Sequence, residues 1–439
     1  MIKSPTPPFS DCLDALGEWL WVVAADLPSG VRQRAQRLWL DTASCAWAGL
    51  RAAEPARWLA LQAVSDAGQV PLPGSAVRLS ASAAAMAFAV GACWDEACEG
   101  LALAHGRPGV PVVAALWSQI PARRPSWQTL WQATAVGYEV AGRLGSRLRI
   151  RPGMHVDGVW GAFGAAAALV WLRGGSWQEA RSALEACAVQ LPFTLYRPVR
   201  EGANVRNLYL GHSAWLGLQA AQAVEAGFAT PNGAIDDFAT LALDPKAAGE
   251  WPASGDWLLN QSYWKPFAAV RHVHYGVQAA LALSALLPPG ATLDALQLRI
   301  YPEALQYCGN RAPQTVIAAQ FSLSYGLAAA LVFGDLSPAQ YRTACFADTR
   351  LRRLEAMVEL IPDAESWPPG QRGARLSARI GEHWWHVDQG PVAGDVGCDP
   401  SAHDLQAKYT QFTQNDPAMA AWARRLHEDH PQAPACHST

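Results

Sequence analysis

Charged residues are scarce in this chain, and neither sign is in clear excess. Only 16% of its 439 residues are charged, and 34 Lys and Arg stand against 37 Asp and Glu. A formal net charge of -3 provides no overall basic surface, so we predict that nucleic acid is not a partner. Hydrophobic residues make up 51% of the chain, which is enough for a large core and too much for a disordered protein.

Long apolar runs, an apolar stretch near the first residues and a regular cysteine pattern are missing as well. Gly, Arg or Glu interrupts the most apolar segments well before 18 residues, so we predict no membrane-spanning helix. The N-terminus has no apolar stretch after a basic start, so we predict no signal peptide. Nine cysteines without framework spacing indicate free thiols in a reducing compartment, the cytoplasm.

The spacing of apolar residues predicts a mainly helical fold, and 439 residues exceed the usual size of one core, so we expect two domains. Helical spacing dominates residues 1–260. In one predicted helix the apolar face consists of Ala35, Leu38, Trp39 and Thr42. The segment 159–175, VWGAFGAAAALVWLRGG, is apolar on nearly all sides and predicts a central, buried helix. Ser126 is the expected N-cap of another helix.

Residues 261–399 have a different pattern and are predicted to form a smaller α+β domain. One strand is predicted where apolar and polar residues alternate, with its apolar side formed by Leu296, Leu298 and Ile300. Residues 374–389, ARLSARIGEHWWHVDQ, predict a second strand region that is compatible with a hairpin. Residues 400–439 return to a helical pattern and are expected to pack on the first domain.

The segment CWDEACEGLALAHGRPGVP, residues 93–111, concentrates reactive side chains beside a Gly-Pro turn. Cys93, Cys98 and His105 lack the short spacing between cysteines that zinc sites use, and no fourth ligand is evident. We therefore predict no metal here and expect both cysteines to be small core or loop residues.

Two carboxyl groups of the same segment are candidates for acid/base chemistry. Asp95 and Glu99 are four residues apart, so on a helix they would share one face. Neighbouring carboxyl groups split their pKa values, which allows one to act as a base while the other stays protonated. A solvated helix face is the alternative interpretation.

Two further segments contain one candidate each. His155 follows a Gly-Met turn and precedes a glycine-rich helix, and a helix N-terminus favours a neutral imidazole that can act as a base or a hydrogen-bond donor. A capping or packing role is the alternative. Arg206 lies between a polar loop and a helix, where its planar guanidinium suits a carboxylate; a surface arginine is the alternative.

The segment YWKPFAAVRHVHYG, residues 263–276, lies at the predicted domain boundary. It holds four basic or titratable residues, Lys265, Arg271, His272 and His274. The apolar residues between them indicate partial burial. Because clefts between domains often bind ligands, we predict a local anion site; a solvated basic surface is the alternative.

Six stretches, in order, resemble the MmgE/PrpD family, whose members include 2-methylcitrate dehydratase, cis-aconitate decarboxylase and iminodisuccinate epimerase. The stretches are AQRLWLDTASCAWAGL, GYEVAGRLG with GMHVDGVWGAFGAAAA, EGANVRNLYLGHSAWLGLQAAQAVEAGF, KPFAAVRHVH, AAQFSLSYGLAAAL and DLQAKYTQF. The resemblance implies a large all-helical domain built from both chain ends, residues 1–260 and 400–439, and an α+β lid of residues 261–399. It also implies an active site between them without metal or organic cofactor, and a homodimer.

The resemblance assigns positions in the acidic loop. The family has an Asp-rich run followed by an active-site histidine, and Asp95 and His105 match the first aspartate and that histidine. Ala97 and Cys98 replace two middle aspartates, and Glu99 stands at a threonine position. His155 matches a second active-site histidine, and Arg206 stands at a position where the family has a lysine. Lys265, Arg271 and His274 match the lysine, arginine and histidine of the family's K-P…R…H stretch. Tyr325 matches a tyrosine of the family.

The resemblance implies proton transfer at a carbon next to a carboxylate. We expect the catalytic residues to be His105, His155, Asp95 and Tyr325. We expect the substrate-binding residues to be Arg206, Lys265, Arg271, His274 and Glu99. The first interpretation is a cofactor-independent lyase, a dehydratase or decarboxylase, that acts on a small di- or tricarboxylate. The altered acidic loop keeps open an epimerase or isomerase of a dicarboxylate, and a non-catalytic carboxylate-binding relative is the third interpretation.

Overall fold

The computed structural model describes residues 8–244 and 248–427, and in these ranges the predicted mainly helical fold is confirmed. The outer ends of the predicted domain ranges, residues 1–7 and 428–439, lie outside the described residues. Within the described ranges, every helix is too short or too polar to cross a bilayer.

Helices form most of the described chain up to residue 244, which we call the helical part. They are α1 (Phe9–Val23), α2 (Ser29–Leu50), α3 (Ala53–Ser65), α4 (Ala81–Trp94), α5 (Gly109–Arg123), α6 (Trp127–Arg147), α7 (Gly161–Leu172), α8 (Trp177–Ala188), α9 (Arg197–Glu201), α10 (Leu208–Glu225) and α11 (Ala234–Ala242). A short antiparallel pair, β1 (Ala67–Pro71) and β2 (Arg78–Leu79), precedes α4; the apolar periodicity did not indicate it, because β2 has only two residues.

Helix α7 is the centre of the helical part, as its composition predicts. It packs against α5, α6, α8 and α10, and all of its residues except Trp171 are buried. The predicted face of α2 is confirmed as buried, and the Ser126 hydroxyl accepts a hydrogen bond from Thr129 N at 3.1 Å, which confirms the N-cap of α6. Two glycines allow α6 and α7 to touch, because a Cβ on Gly164 would lie 2.5 Å from the carbonyl oxygen of Gly137.

The second part of the chain combines helices with one mixed sheet, and we call it the α+β part. Its helices are α12 (Arg271–Leu286), α13 (Pro302–Cys308), α14 (Val316–Gln320), α15 (Leu323–Phe333), α16 (Thr343–Phe346) and α17 (Thr349–Met357). Its strands are β3 (Ala295–Ile300), β4 (Val358–Pro362), β5 (Ala374–Ile380) and β6 (His383–Gln389). The strand order is β4-β3-β5-β6, with β3 and β4 parallel and the other pairs antiparallel.

The two predicted strand regions are confirmed. In β3, the alternating residues Leu296, Leu298 and Ile300 are all buried. The segment 374–389 forms the β5–β6 hairpin, in which Ile380 pairs with His383. Helix α12 packs against β5, β6 and α15. The segment before α12 contacts the helical part, because Tyr263 forms an antiparallel β-bridge with Gly100.

The last two described helices, α18 (Ala402–Thr413) and α19 (Pro417–His427), pack against α2. Segments from both ends of the described chain therefore share the helical part. The exact domain boundaries at residues 260 and 399 stay predictions.

The contact between α6 and α7 yields a stability prediction. We expect Gly164→Ala to lower the free energy of unfolding by about 1–3 kcal/mol, because the added methyl group overlaps the backbone of α6. The matched control is Gly30→Ala at the exposed start of α2, where a Cβ would meet nothing within 4 Å. That change should leave stability unchanged or raise it by up to about 1 kcal/mol. Urea denaturation of both variants checks this, and equal stabilities would contradict it.

Candidate active site

The candidate site is built on the loop between α4 and α5, residues 95–108. Helix α4 ends at Trp94, and Glu96 has a φ of 54°, a left-handed conformation that ends the helical path. The prediction that Asp95 and Glu99 share one helix face is therefore wrong, because the two residues lie in a loop. The two side chains point into different environments.

Five charged side chains, two of them from this loop, lie in contact with one another. We call them the charge cluster: Glu96, Arg107, Asp157, Arg206 and Lys265. Glu96 accepts hydrogen bonds from Arg107 at 3.0 Å and from two nitrogens of Arg206. Lys265 Nζ lies 3.3 Å from the same carboxylate. Asp157 pairs with Arg107 and lies 3.7 Å from Arg206. All five side chains are less than a tenth exposed.

The charges decide the protonation of the carboxylates. Burial alone would raise the pKa of Glu96, but Arg107, Arg206 and Lys265 together hold that pKa well below its usual value. The pKa of Asp157 is also lowered, by the same two arginines against the effect of burial. The charge cluster thus contains three cations and two carboxylates, which leaves one positive charge uncompensated.

Two buried lysines also hold the backbone of the loop. The chain has four lysines in total. Lys265 Nζ donates to the carbonyl oxygen of Glu96 at 2.7 Å, and Lys408 Nζ, from α18, donates to that of Ala97 at 2.7 Å. Lys408 pairs in addition with the buried Asp41 of α2 at 2.5 Å. Consecutive carbonyl groups are therefore fixed by ammonium groups from two distant segments.

His155 borders the charge cluster and is neutral. Its Nδ1 accepts a hydrogen bond from Asp157 N at 3.0 Å, so the ring proton resides on Nε2. Burial lowers the pKa of His155 to about 4, and Arg206 acts in the same direction while Asp157 opposes it. The prediction of a neutral imidazole is confirmed, but its cause is burial, since α7 begins six residues later.

An aromatic series joins His155 to the α+β part. His155 stacks on Tyr196 with ring centroids 5.8 Å apart, and Tyr196 meets Tyr307 edge-on. Tyr307 in turn stacks on His272. His272 Nδ1 lies 2.7 Å from the hydroxyl of Tyr301, and burial, together with nearby positive charges, lowers the pKa of His272 to about 3.

Arg271 offers unpaired hydrogen-bond donors beside this series. Its Nη2 donates to Asp395, and its guanidinium lies 4.1 Å from the centroid of the Tyr263 ring. Its Nε and Nη1 are buried and have no hydrogen-bond partner. Because unpaired buried donors are costly, they indicate a place for an anionic ligand.

Asp95 and Glu99 differ in their partners. Glu99 accepts hydrogen bonds from Gly109 N at 2.7 Å and from the Tyr138 hydroxyl at 3.1 Å, so it caps the start of α5. Asp95 has one buried carboxyl oxygen without a partner. Burial raises the pKa of each carboxyl group to about 7. Asp95 thus keeps one oxygen free of hydrogen bonds, whereas both oxygens of Glu99 are engaged in the fold.

His105 lies on an exposed stretch of the loop, outside the charge cluster. Packing around the ring, Arg149 and Arg372 lower its pKa, and Glu303 opposes them. Since Glu303 and Arg372 belong to the α+β part, His105 faces that part. Arg107, two residues later, enters the charge cluster instead.

Tyr325 lies in other surroundings, whereas His274 lies near the charge cluster: burial lowers its pKa, and Lys265 acts in the same direction. The Tyr325 hydroxyl donates to the carbonyl oxygen of Gln340 at 2.5 Å, and its ring stacks on Tyr341. His274 is buried, and its Nε2 lies 2.9 Å from the carbonyl oxygen of Ala269. Neither makes a described hydrogen bond to the charge cluster.

The two cysteines of the loop are buried in the fold, as expected. Cys93 Sγ donates to the carbonyl oxygens of Val90 and Asn207, and burial raises its pKa to about 12. Among the residues that the structure describes, no group of three or more His, Cys, Asp or Glu side chains is arranged to hold a metal ion.

Sequence reasoning missed Glu96, Arg107 and Asp157 as parts of the site. The available signal was their position: Arg107 precedes the Pro-Gly start of α5, and Asp157 follows His155 by two residues. The family resemblance selected His105 in this loop, and its catalytic role stays a prediction; spacing along a loop does not reveal which way each side chain turns.

Two family models match the chain. A model of the MmgE/PrpD N-terminal domain matches residues 19–241, and a model of the MmgE/PrpD C-terminal domain matches residues 267–416. No curated protein matches the chain. Four residues of the charge cluster lie in the first match, and Lys265 lies in the short segment between the two matches.

The raised pKa of Glu99 yields a prediction about stability and pH. The folded protein keeps the Glu99 proton up to about pH 7, whereas the unfolded chain loses it near its ordinary pKa of 4.5. Stability from this group is therefore complete below about pH 4.5 and is lost as the pH rises through 7. The glutamine of Glu99→Gln cannot ionise. The difference in free energy of unfolding between this variant and the wild type should therefore change in favour of the variant by on the order of 2–3 kcal/mol from pH 5 to pH 8.

The control is Glu179→Gln, an exposed capping residue of α8 whose pKa is lowered by Ser176. Its difference from the wild type should stay constant between pH 5 and 8. Urea denaturation across this pH range measures both differences. An equally flat result for Glu99→Gln would refute the assignment.

Proposed function

Because the chain belongs to the MmgE/PrpD family, we propose that it is a lyase that acts on a small di- or tricarboxylate by proton transfer at the carbon next to a carboxylate. The observation that carries this proposal is the charge cluster, in which Arg107, Arg206 and Lys265 converge on a single carboxylate. The planar guanidinium groups suit the two oxygens of a carboxylate, and the lysine adds a point charge.

Arg271 provides the second anion site. Its buried Nε and Nη1 have no partner, and it lies close enough to His272 to influence the pKa of that residue, as Lys265 also does. A substrate with two carboxylates would place one at Lys265 and the other at Arg271, and both cations lie close enough to His272 to act on its pKa.

Proton transfer is assigned to His272 and Asp95. His272 is neutral in the free protein, and two substrate carboxylates beside it would raise its pKa, because a negative charge favours the imidazolium form. It can then accept the proton from carbon. Asp95, with a pKa of about 7, is the acid that protonates a departing hydroxyl group. The C–H and C–O bonds break, a carbon–carbon double bond forms, and water leaves.

His155 stabilises the negative charge that develops during this reaction. Its Nε2–H is fixed by the hydrogen bond at Nδ1, so it acts as a neutral donor to an enolate-like oxygen. Because the pKa of His155 is low, its Nδ1 does not gain a proton, and the ring stays neutral beside the surrounding arginines.

The proposed reaction can be tested in deuterated water. We expect at least one hydroxylated di- or tricarboxylate, from a panel that includes malate, citrate and their unsaturated counterparts, to gain or lose a vinyl signal in the proton NMR spectrum. Deuterium exchange without net conversion would indicate an epimerase instead. Saturable binding without any spectral change would indicate a non-catalytic carboxylate binder.

The role of His155 predicts a difference between two substitutions. Gln places its amide nitrogen near the position of Nε2, whereas Asn places a polar atom only near Nδ1. We therefore expect His155→Asn to lower kcat by a factor on the order of 10², and His155→Gln to retain more activity. Steady-state kinetics of both variants measures this, and greater activity of the Asn variant would rule out the donor role.

The control is Tyr325→Phe, because the Tyr325 hydroxyl is directed to the carbonyl group of Gln340. This change should leave kcat unaltered while lowering the free energy of unfolding by about 1 kcal/mol.

A further inference from the structure

Glu96 occupies the place that the proposed function gives to a substrate carboxylate. Its carboxylate contacts Arg107, Arg206 and Lys265, and its side chain is only 4% exposed. Resting on the proposed function, we propose that Glu96 is a specificity-determining residue: a built-in competitor that a substrate carboxylate must displace, so that the site selects dicarboxylates over monocarboxylates.

The backbone geometry allows such an exchange. The carbonyl oxygen of Glu96 is held by Lys265, and that of Ala97 is held by Lys408, independently of the carboxylate. The side chain can therefore leave the arginines by rotation about its own bonds, while the loop stays in place. The left-handed conformation of Glu96 is unfavourable in a non-glycine residue, which is consistent with a constraint retained for its position.

The energetics favour replacement over simple removal. An empty site would leave three buried cations facing one carboxylate, that of Asp157, and uncompensated buried charge is strongly destabilising. An incoming carboxylate restores the hydrogen bonds and the charge balance that Glu96 provided. Exchange of one carboxylate for another is therefore close to neutral in electrostatic energy.

Selectivity follows from the tether. Glu96 is part of the chain, so it competes at a high effective concentration, and a free monocarboxylate that offers the same contacts loses this competition. A dicarboxylate gains a second contact at the unpaired nitrogens of Arg271, which Glu96 does not fill. With Glu96 displaced, the charge cluster has a net charge of two positive units, and one substrate carboxylate restores the net charge that it has with Glu96 in place.

Three probes and the thermal unfolding midpoint test this inference: acetate, succinate and its mono-amide succinamate. In the wild type, succinate should raise the midpoint, and acetate should have no effect at the same concentration. In Glu96→Ala, acetate should bind, and its disadvantage relative to succinate should shrink by about 10-fold or more, as expected for a charged hydrogen bond of 1.5–3 kcal/mol. Succinamate should behave like acetate.

Glu96→Gln keeps the shape of the side chain without its charge, and it replaces the Ala variant if that protein folds only in the presence of acetate. Its expected response has the same direction. The matched control is Glu99→Ala, which removes a buried carboxylate of the same loop that contacts Gly109 and Tyr138 but none of the three cations. Acetate should not stabilise it.

The outcomes separate the two proposals. If succinate binds the wild type but neither Glu96 variant changes the ratio between acetate and succinate, Glu96 is not a competitor and the proposed function stands. If no carboxylate binds the wild type and none is turned over, the proposed function fails, whereas acetate binding to Glu96→Ala alone would still show that Glu96 fills an anion site.

Discussion

The buried Glu96 carboxylate is the interaction on which the candidate site depends. It brings together three cations from the start of α5, the turn before α10 and the segment that leads into α12. Each cation would be costly to bury without this partner, and the loss of any one of them would leave the others unbalanced. The loop, two helix starts and the link between the two parts of the chain are therefore positioned by one set of charges.

The surrounding fold is suited to hold such a set because it is otherwise so apolar. All residues of helix α7 except Trp171 are buried, and the segment that carries His155 and Asp157 leads directly into this helix. A close-packed core fixes the positions of the segments attached to it, since its glycine contacts leave little room for adjustment. In this environment the few buried charges interact strongly, and the aromatic series from His155 to His272 carries the site across to the α+β part.

Helix faces and strands could be predicted from the sequence because burial repeats with the period of the backbone. This was sufficient for α2, α7, β3 and the β5–β6 hairpin. It was insufficient for the end of α4, where the sequence continues with residues that fit a helix and only the left-handed backbone at Glu96 shows the break. Strand β4 follows α17 directly and depends on its pairing with β3, which local periodicity does not contain.

Some residues of the candidate site could likewise be predicted from the sequence, and others could not. Arg206 and Lys265 could be named as candidates because a guanidinium or ammonium group suits a carboxylate, and the family resemblance pointed to both. Arg107 and His105 could not be told apart, because they are two residues apart in a loop and the choice depends on which side chain turns inward. The capping role of Glu99 required knowledge of where α5 begins.

The contact between Lys408 and the carbonyl group of Ala97 implies an order in which the fold and the site form during synthesis. The two residues are 311 positions apart in the chain. At about 5–20 residues per second, the ribosome adds Lys408 roughly 15–60 s after Ala97. The helical core around α7 can form during that interval. The backbone of the loop, however, cannot form its hydrogen bond to Lys408 until α18 has been synthesised. The nascent chain therefore forms its helical core well before the candidate site is complete.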